Sequence, residues 1–285
     1  MRLPFPDLSI IVPTYQEAGN LAELFRRIEA SVTAAELNTE VLVVDDHSQD
    51  GTVELCEKFV SSVPLKLIVR TDERGLSSAV MRGFREARGD ILLVMDADLS
   101  HPPERIPAII AALNSQKDSQ PPVEMVIGSR YIEGGSTTED WGWIRWLNSK
   151  IATLAARPFT SAKDPMAGFF ALHRLSYELA ADRLDPIGYK IGLELIVKCQ
   201  FRNVQEIPIQ FCNRTVGESK LNLRQQLLYL THIKRLLAFR IWGDTADHGD
   251  ADLATPMIAG RIEETPIVSA SLQEGRHAEI RKKAA

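Results

Sequence analysis

Short apolar runs and longer stretches with helical spacing alternate along the first half of the chain. Leu8 to Val12 is the first run, and Pro13-Thr14-Tyr15-Gln16-Glu17 is the loop leaving it. Leu21, Leu24, Phe25 and Ile28 then fall at i, i+3, i+4 and i+7, which predicts a helix with Asn20 as its cap and Glu23 three residues on. Val41 to Val44 is a second strand ending in Asp45-Asp46, and Asp50-Gly51-Thr52 opens the next helix. Leu65 to Val69 is a third, after which Arg74-Gly75-Leu76 leads into a helix carrying Ala79, Val80, Phe84 and Ala87. The apolar run from Ile91 to Met95 ends in Asp96-Ala97-Asp98; Pro102 and Pro103 suit a first helical turn, and Ile106, Ile109, Ile110 and Leu113 continue it. Asn114 to Pro122 is a polar loop and Val123 to Ile127 a fifth strand. Runs that are apolar on both faces belong inside a parallel sheet, so the alternation predicts a doubly wound α/β fold, its central sheet mostly parallel and flanked by helices.

The second half is less regular. Trp141 to Phe159 is rich in aromatics and bases, which suits a helix at a lipid-water interface or one packing its rings on the sheet. Asp164 to Phe170 reads as a turn entering a strand, and Tyr189 to Leu195 begins a helix. Val204 to Ile207 and Ile209 to Cys212, split by Pro208, read as a bent edge strand. From Leu221 to Trp242 the spacing is helical, with Lys220, Arg224, Lys234 and Arg235 within an arc of roughly 100° and leucines and isoleucines opposite, a C-terminal amphipathic helix. Beyond Gly243 the chain is polar and aperiodic, so residues 1–243 read as one folded domain and 244–285 as a mostly disordered tail.

Composition narrows the class. A chain 45% hydrophobic and 25% charged can bury one large core, and a net charge of -5 argues against nucleic acid as a partner. Cys56, Cys199 and Cys212 are widely spaced and read as reduced thiols of a cytoplasmic protein. No stretch has the ~18 uncharged apolar residues of a spanning helix. Any work at a membrane is then expected at its surface.

The chemistry gathers where strands end. Ligands of open α/β sheets bind outside the carboxyl ends of the strands, and Glu17, Asp46, Asp96 and Asp98 all fall there. Two acids two residues apart repel unless a cation lies between them, so Asp96 and Asp98 read either as a Mg²⁺ or Mn²⁺ site facing a nucleotide diphosphate or as a solvated acidic turn. Asp46, after the second strand, can accept hydrogen bonds from a base or ribose. Neither Gly-x-Gly-x-x-Gly nor Gly-Lys-Ser/Thr follows the first strand, which disfavours dinucleotide folds and P-loops. A receiver domain shares the pattern VLVVDD and, about fifty residues on, VMDADL; it would leave the first strand-helix unit surplus.

Eight ordered blocks, SIIVPTYQEAGNL, VVDDHSQDGT, GLSSAVMRGF, GDILLVMDADLSHPPE, IGSRYIEGG, DPMAGFFALHR, GYKIGLELIVK and NRTVGESKL, resemble family 2 glycosyltransferases of the GT-A fold over about residues 8–242. Within that family the chain is similar to the subgroup that moves mannose from GDP-mannose to dolichyl or other polyprenyl phosphates. The resemblance implies that Pro13, Tyr15, Glu17, Val44 and Asp46 hold the guanosine and that Asp96, Ala97 and Asp98 hold the metal and diphosphate. It implies further that Arg130, Arg145, Arg214 and Lys220 bind the acceptor phosphate and close over the donor. The catalytic load would fall on Asp98, Arg130, Arg214 and Lys220, acting from the cytoplasmic face of a membrane as a peripheral protein. Oligomeric state and any membrane-anchoring subunit are left open. UDP-glucose as donor, or a sugar hydroxyl as acceptor, would keep the fold and change the substrates; a hydroxyl needs a carboxylate base. Thr138-Glu139-Asp140 looks like such a base motif, but lies too close to Arg130 for that role.

Overall fold

The computed structural model describes residues 5–115, 121–137, 152–211 and 223–243, all within one compact unit spanning Met1–Thr245. The core is a seven-stranded sheet of order β3-β2-β1-β4-β7-β5-β8. Its strands are β1 (Leu8–Thr14), β2 (Thr39–Asp45), β3 (Leu65–Val69), β4 (Ile91–Val94), β5 (Met125–Ser129), β7 (Phe170–His173) and β8 (Val204–Pro208). A two-stranded sheet pairs β6 (Ser136–Thr137) with β9 (Gln210–Phe211). The helices are α1 (Ala18–Ala34), α2 (Thr52–Lys58), α3 (Leu76–Glu86), α4 (Ile106–Leu113), α5 (Arg174–Glu178), α6 (Ile191–Lys198) and α7 (Leu223–Trp242).

Both faces of the sheet are apolar, as the unbroken runs require. Leu8, Ile10 and Val12 of β1 pack with α1 and α4 on one side, while Ile11, Leu42 and Val44 pack with Val80 and Phe84 of α3 on the other. The sheet is not wholly parallel, however. β7 runs antiparallel between β4 and β5. A parallel neighbour needs a crossover that carries the chain back to the opposite end of the sheet. After β5 the chain instead re-enters as β7 from the edge it left by, which brings Asp164 to Gly168 to the carboxyl ends of β4 and β5.

Two expected boundaries shift for local reasons. Helix α1 begins at Ala18 with Glu17 at its cap, so Asn20 lies inside the first turn, buried, with its Nδ2 donating to Glu17 Oε2 at 2.8 Å. β5 starts two residues later than the apolar run suggests. Glu124 there accepts the backbone N–H groups of Arg202 and Asn203 at 2.6 and 2.8 Å. Pro208 does bend the last strand: β8 closes the main sheet and β9 turns away to pair with β6. On α7, Leu236 packs with Leu193 of α6 and with Ala156, beside Tyr229 and Ile233. The segment read as a tail, 244–285, lies outside the described residues.

Candidate active site

The ends of β1 and β2 lie side by side, Thr14 opposite Asp45, and they divide two adjacent acids between structure and site. Asp45 is wholly buried and accepts the Thr14 hydroxyl at 2.9 Å and the Ser48 N–H at 2.7 Å. Ser48 Oγ accepts the Gln16 N–H at 2.7 Å, and Asp50 accepts the Ala18 N–H at 3.0 Å, so the loops leaving the two strands are stapled together. Asp46 faces the next loop, accepting Arg70 Nε at 2.8 Å and the Gly75 N–H at 2.7 Å, with Arg70 Nη2 also paired to it. Arg70 is buried, and its segment carries Arg74 over the Tyr15 ring at 5.1 Å. Pro13, Tyr15, Glu17 and Asp46 therefore share one edge. Val44 does not reach it: the whole residue is 0% exposed, packed in the core under α3 and paired on both sides within the sheet, so the nucleotide contact expected of it has no surface to act through.

The Asp-x-Asp acids hang from the end of β4 and differ in exposure. Asp98 is 5% exposed, where an open position was expected, because the Ser100 N–H and hydroxyl both donate to its Oδ1, at 3.1 and 2.5 Å. That loop holds Leu99 at φ 63°, a left-handed conformation costing a non-glycine residue roughly 1 kcal/mol or more. Asp96 presents a side chain 29% exposed, and its N–H donates to His101 Nδ1 at 2.9 Å. Gly168 lies against it: a Cβ there would stand 3.2 and 3.3 Å from the two Asp96 carboxylate oxygens, so bare backbone keeps the space in front of that acid open. Two carboxylates with room beside them suit a hard divalent cation. Among the described residues no group of three or more His, Cys, Asp or Glu side chains is placed to ligate a metal. The fit is to an ion such as Mg²⁺ or Mn²⁺ that takes one or two protein carboxylates and completes its shell with phosphate and water.

Cations face these acids from β5 and from the start of α6. Arg130, one residue past β5, is gripped by buried Asp164, which accepts its Nε at 2.8 Å, its Nη2 at 2.9 Å and its backbone N–H at 3.1 Å. Asp164 is oriented in turn by Glu206 of β8, which accepts the Asp164 N–H at 2.9 Å. Burial works against the Arg130 cation, but Asp164 outweighs it and holds the guanidinium above its ordinary pKa. Lys190, at the cap of α6, sits 4.4 Å over the Tyr189 ring and 3.4 Å from the Met166 carbonyl. Burial, and then the Arg130 charge, lower its pKa to about 8, while Asp164 and Asp96 pull the other way. Asp96, Arg130, Asp164 and Lys190 are thus one electrostatic group.

Neither Lys190 nor His101 stands out as functional in the sequence. A lysine at a helix N-terminus, where the dipole disfavours a cation, is the signal that marks Lys190. Arg145, Arg214 and Lys220, together with Glu139 and Asp140, lie outside the described residues.

Residues 9–179 match the family model "Glycosyl transferase family 2". The chain is 44% identical over 242 residues to a dolichol-phosphate mannosyltransferase of Mycosarcoma maydis, covering 82% of this chain and 80% of that one. It is 46% identical over 234 residues to a dolichol-phosphate mannosyltransferase of Pyrococcus furiosus, covering 81% of this chain and 63% of the other. In fold it is similar to glucosyl-3-phosphoglycerate synthase from Mycobacterium tuberculosis, crystallised with Mn²⁺, UDP-glucose and phosphoglyceric acid. That likeness has a TM-score of 0.57 at 15% identity, over 82% of this chain and 79% of the other.

Proposed function

The chain belongs to glycosyl transferase family 2, and from that membership we propose that it transfers mannose from GDP-mannose to dolichyl or another polyprenyl phosphate, with inversion. The observation that carries the reading is the identity to two dolichol-phosphate mannosyltransferases, 44% and 46%, over more than four fifths of the chain. The geometry supports it. In the transfer, an oxygen of the acceptor phosphate bonds to the anomeric carbon as the bond to the diphosphate breaks and GDP leaves. A phosphate monoester has a second pKa near ~6 and is already mostly dianionic at neutral pH, so no base need take a proton from it. Bringing that dianion to a diphosphate is the harder task. Arg130, held by Asp164, and Lys190 beside it put two cations in front of Asp96, which suits anion binding on the acceptor side. Arg145, Arg214 and Lys220 join them in this reading.

On the donor side, Pro13, Tyr15, Glu17 and Asp46 line the edge where the guanosine would lie, and Ala97 sits between the two acids beside the diphosphate. Asp96 and Asp98 would hold Mg²⁺ or Mn²⁺, which supplies positive charge to the leaving diphosphate. No helix of the described residues is long and apolar enough to cross a membrane. Contact with a lipid acceptor is supported instead by α7, where Leu230, Leu237 and Ile241 are exposed on one stripe with Lys234 among them, and Trp242 is 68% exposed at the end. We place the protein peripherally on the cytoplasmic face of a membrane.

The test is a donor panel. Purified protein is given GDP-mannose, UDP-glucose or GDP-glucose with a short polyprenyl phosphate, and the lipid product is read by mass spectrometry. Mannosyl phosphate lipid from GDP-mannose alone is expected. Sugar on a hydroxyl acceptor, or equal use of UDP-glucose, would overturn the assignment.

A further inference from the structure

His101 is more buried than a surface loop residue after two acids has reason to be, at 2% exposure. Its ring is stacked on Phe169, with centroids 5.3 Å apart and planes 18° apart, and meets Phe211 edge-on at 5.6 Å. Phe211 lies in turn under the Arg130 guanidinium, 5.2 Å away. The ring is therefore fixed on its faces by packing. Along its edge, among the described residues, it addresses Asp96: Nδ1 accepts the Asp96 N–H at 2.9 Å, and Nε2 stands 3.8 Å from Asp96 Oδ2. A ring nitrogen that accepts from an amide carries no proton, so the proton of the neutral ring is on Nε2 and faces the carboxylate. Gly168 closes the arrangement, since a Cβ at that position would be 3.3 Å from His101 Cε1 and from Asp96 Oδ2.

Asp98 is held by a different device, the paired donation from Ser100. Each acid thus has its own orienting partner within five residues along the chain, and the two partners work differently. Ser100 spends its hydrogen bonds on one oxygen of Asp98. His101 grips the main chain of Asp96, whose side chain is 29% exposed, and stands with an N–H close enough to limit how far that carboxylate can swing.

We propose that His101 is the positioning residue of the metal site: by holding the Asp96 amide through Nδ1 and facing the Asp96 carboxylate with Nε2–H, it sets the affinity of Asp96 for the divalent cation that accompanies the nucleotide. This rests on the metal-dependent reading of the donor site. Partners that orient a ligating carboxylate alter metal affinity by ~10- to 100-fold when removed. Packing of the ring on Phe169 is separable from this role, because phenylalanine keeps the aromatic stack and lacks the acceptor, whereas asparagine places an acceptor near the Nδ1 position and lacks the ring.

The experiment titrates Mn²⁺ into the full-length protein with saturating GDP and follows free Mn²⁺ by electron paramagnetic resonance, alongside thermal melts and metal-free GDP binding. His101→Phe is expected to weaken Mn²⁺ binding by ~10-fold or more with metal-free GDP binding unchanged, and His101→Asn to recover most of the loss. His101→Gln, whose amide reaches the Nε2 position, is expected to recover less. If His101→Phe does not fold, the comparison of Asn with Gln carries the test: Asn near wild type and Gln weaker supports the inference, and equal affinities overturn it. Wild-type affinity in a folded His101→Phe overturns it while leaving the donor reading intact. Absence of GDP-dependent Mn²⁺ binding in the wild type removes the metal-dependent reading and this inference together.

Discussion

Lys190→Met isolates the cost of keeping a cation inside the site. The folded protein holds the Lys190 proton only up to about 8, against 10.5 for the free side chain, because burial and the neighbouring Arg130 charge penalise the ammonium. At ~1.4 kcal/mol per pH unit that fall is worth ~3 kcal/mol, and about half of it remains after allowing for a side chain that is only partly buried. The sign is fixed by proton counting. Between pH 8 and 10.5 the unfolded chain binds more protons at this position, so stability rises with pH there; below about 8 both states are charged and the penalty is constant. Methionine has nearly the same length and no charge. At pH 7 the variant should therefore unfold ~1–2 kcal/mol harder than wild type, a melting temperature higher by ~3–6 °C for a domain of this size, and the gap should close towards pH 10. Transfer at pH 7 should fall by ~10²-fold, since a cation that faces the phosphates is gone, and this gap too should narrow towards pH 10, where Lys190 is itself neutral. Thermal melts at pH 7 and pH 10, with rates measured on the same preparations, decide it. A variant no more stable than wild type at pH 7, or a gap that does not narrow with pH, refutes the buried-cation reasoning.

Other perturbations address separate parts of the edge. Asp96→Asn and Asp98→Asn should each abolish transfer at saturating Mn²⁺, and Asp98→Asn should also lower stability by ~1 kcal/mol, because its oxygen carries both Ser100 donors; turnover near wild type in either variant contradicts the donor site. Asp164→Ala leaves Arg130 without its buried partner and should cost ~3 kcal/mol in urea unfolding, whereas a loss under ~1 kcal/mol would mean that water already screens the pair. Glu194, wholly buried, accepts from His232, Lys198 and the Asp185 N–H; burial opposes its charge, but these donors hold its pKa below the ordinary 4.5. Its contribution is thus present above that value and lost on acidification, so Glu194→Gln should flatten the acid end of the stability profile, and an unchanged profile sinks the assignment. Reversing Lys234 and Arg235 to glutamate should weaken binding to anionic vesicles, most visibly at low salt, and binding insensitive to both salt and charge would make α7 purely structural.

The pattern of apolar runs was enough to place every strand from β1 to β5 within two residues, because strands buried on both faces leave little choice of residue. The acids at their ends were legible for the same reason: a carboxylate directly after a buried run must lie at the sheet edge. What the pattern could not carry was direction and pairing. Nothing in Phe169-Phe170-Ala171 says that β7 runs antiparallel; that follows from where the preceding loop leaves the chain. Asp45 and Asp46 look alike in sequence, yet one is buried under Thr14 and Ser48 and the other grips Arg70. On α7 the helical spacing located the helix but not its docked face, since Leu236 is buried while Leu237, the next residue, is 43% exposed.

A net charge of -5 would ordinarily discourage an anionic substrate, and the proposed reaction brings two together. The structure resolves this locally. Buried acids here are spent on aiming cations rather than on facing solvent: Asp164 fixes Arg130 at the edge, and Asp46 fixes Arg70 behind it. Each such pair is close to neutral seen from a distance, so it adds little to the long-range field, but at contact distance its guanidinium edge is held in place with no reorganisation left to make. Screening reaches only ~8 Å at physiological salt, so a phosphate already on the sheet edge responds to those few groups and not to the overall charge. The net-negative far field should then slow association of the soluble nucleotide sugar at low salt, and added salt should speed it by screening that repulsion, while the lipid acceptor reaches the site along a surface that α7 can meet with its exposed leucines and Lys234.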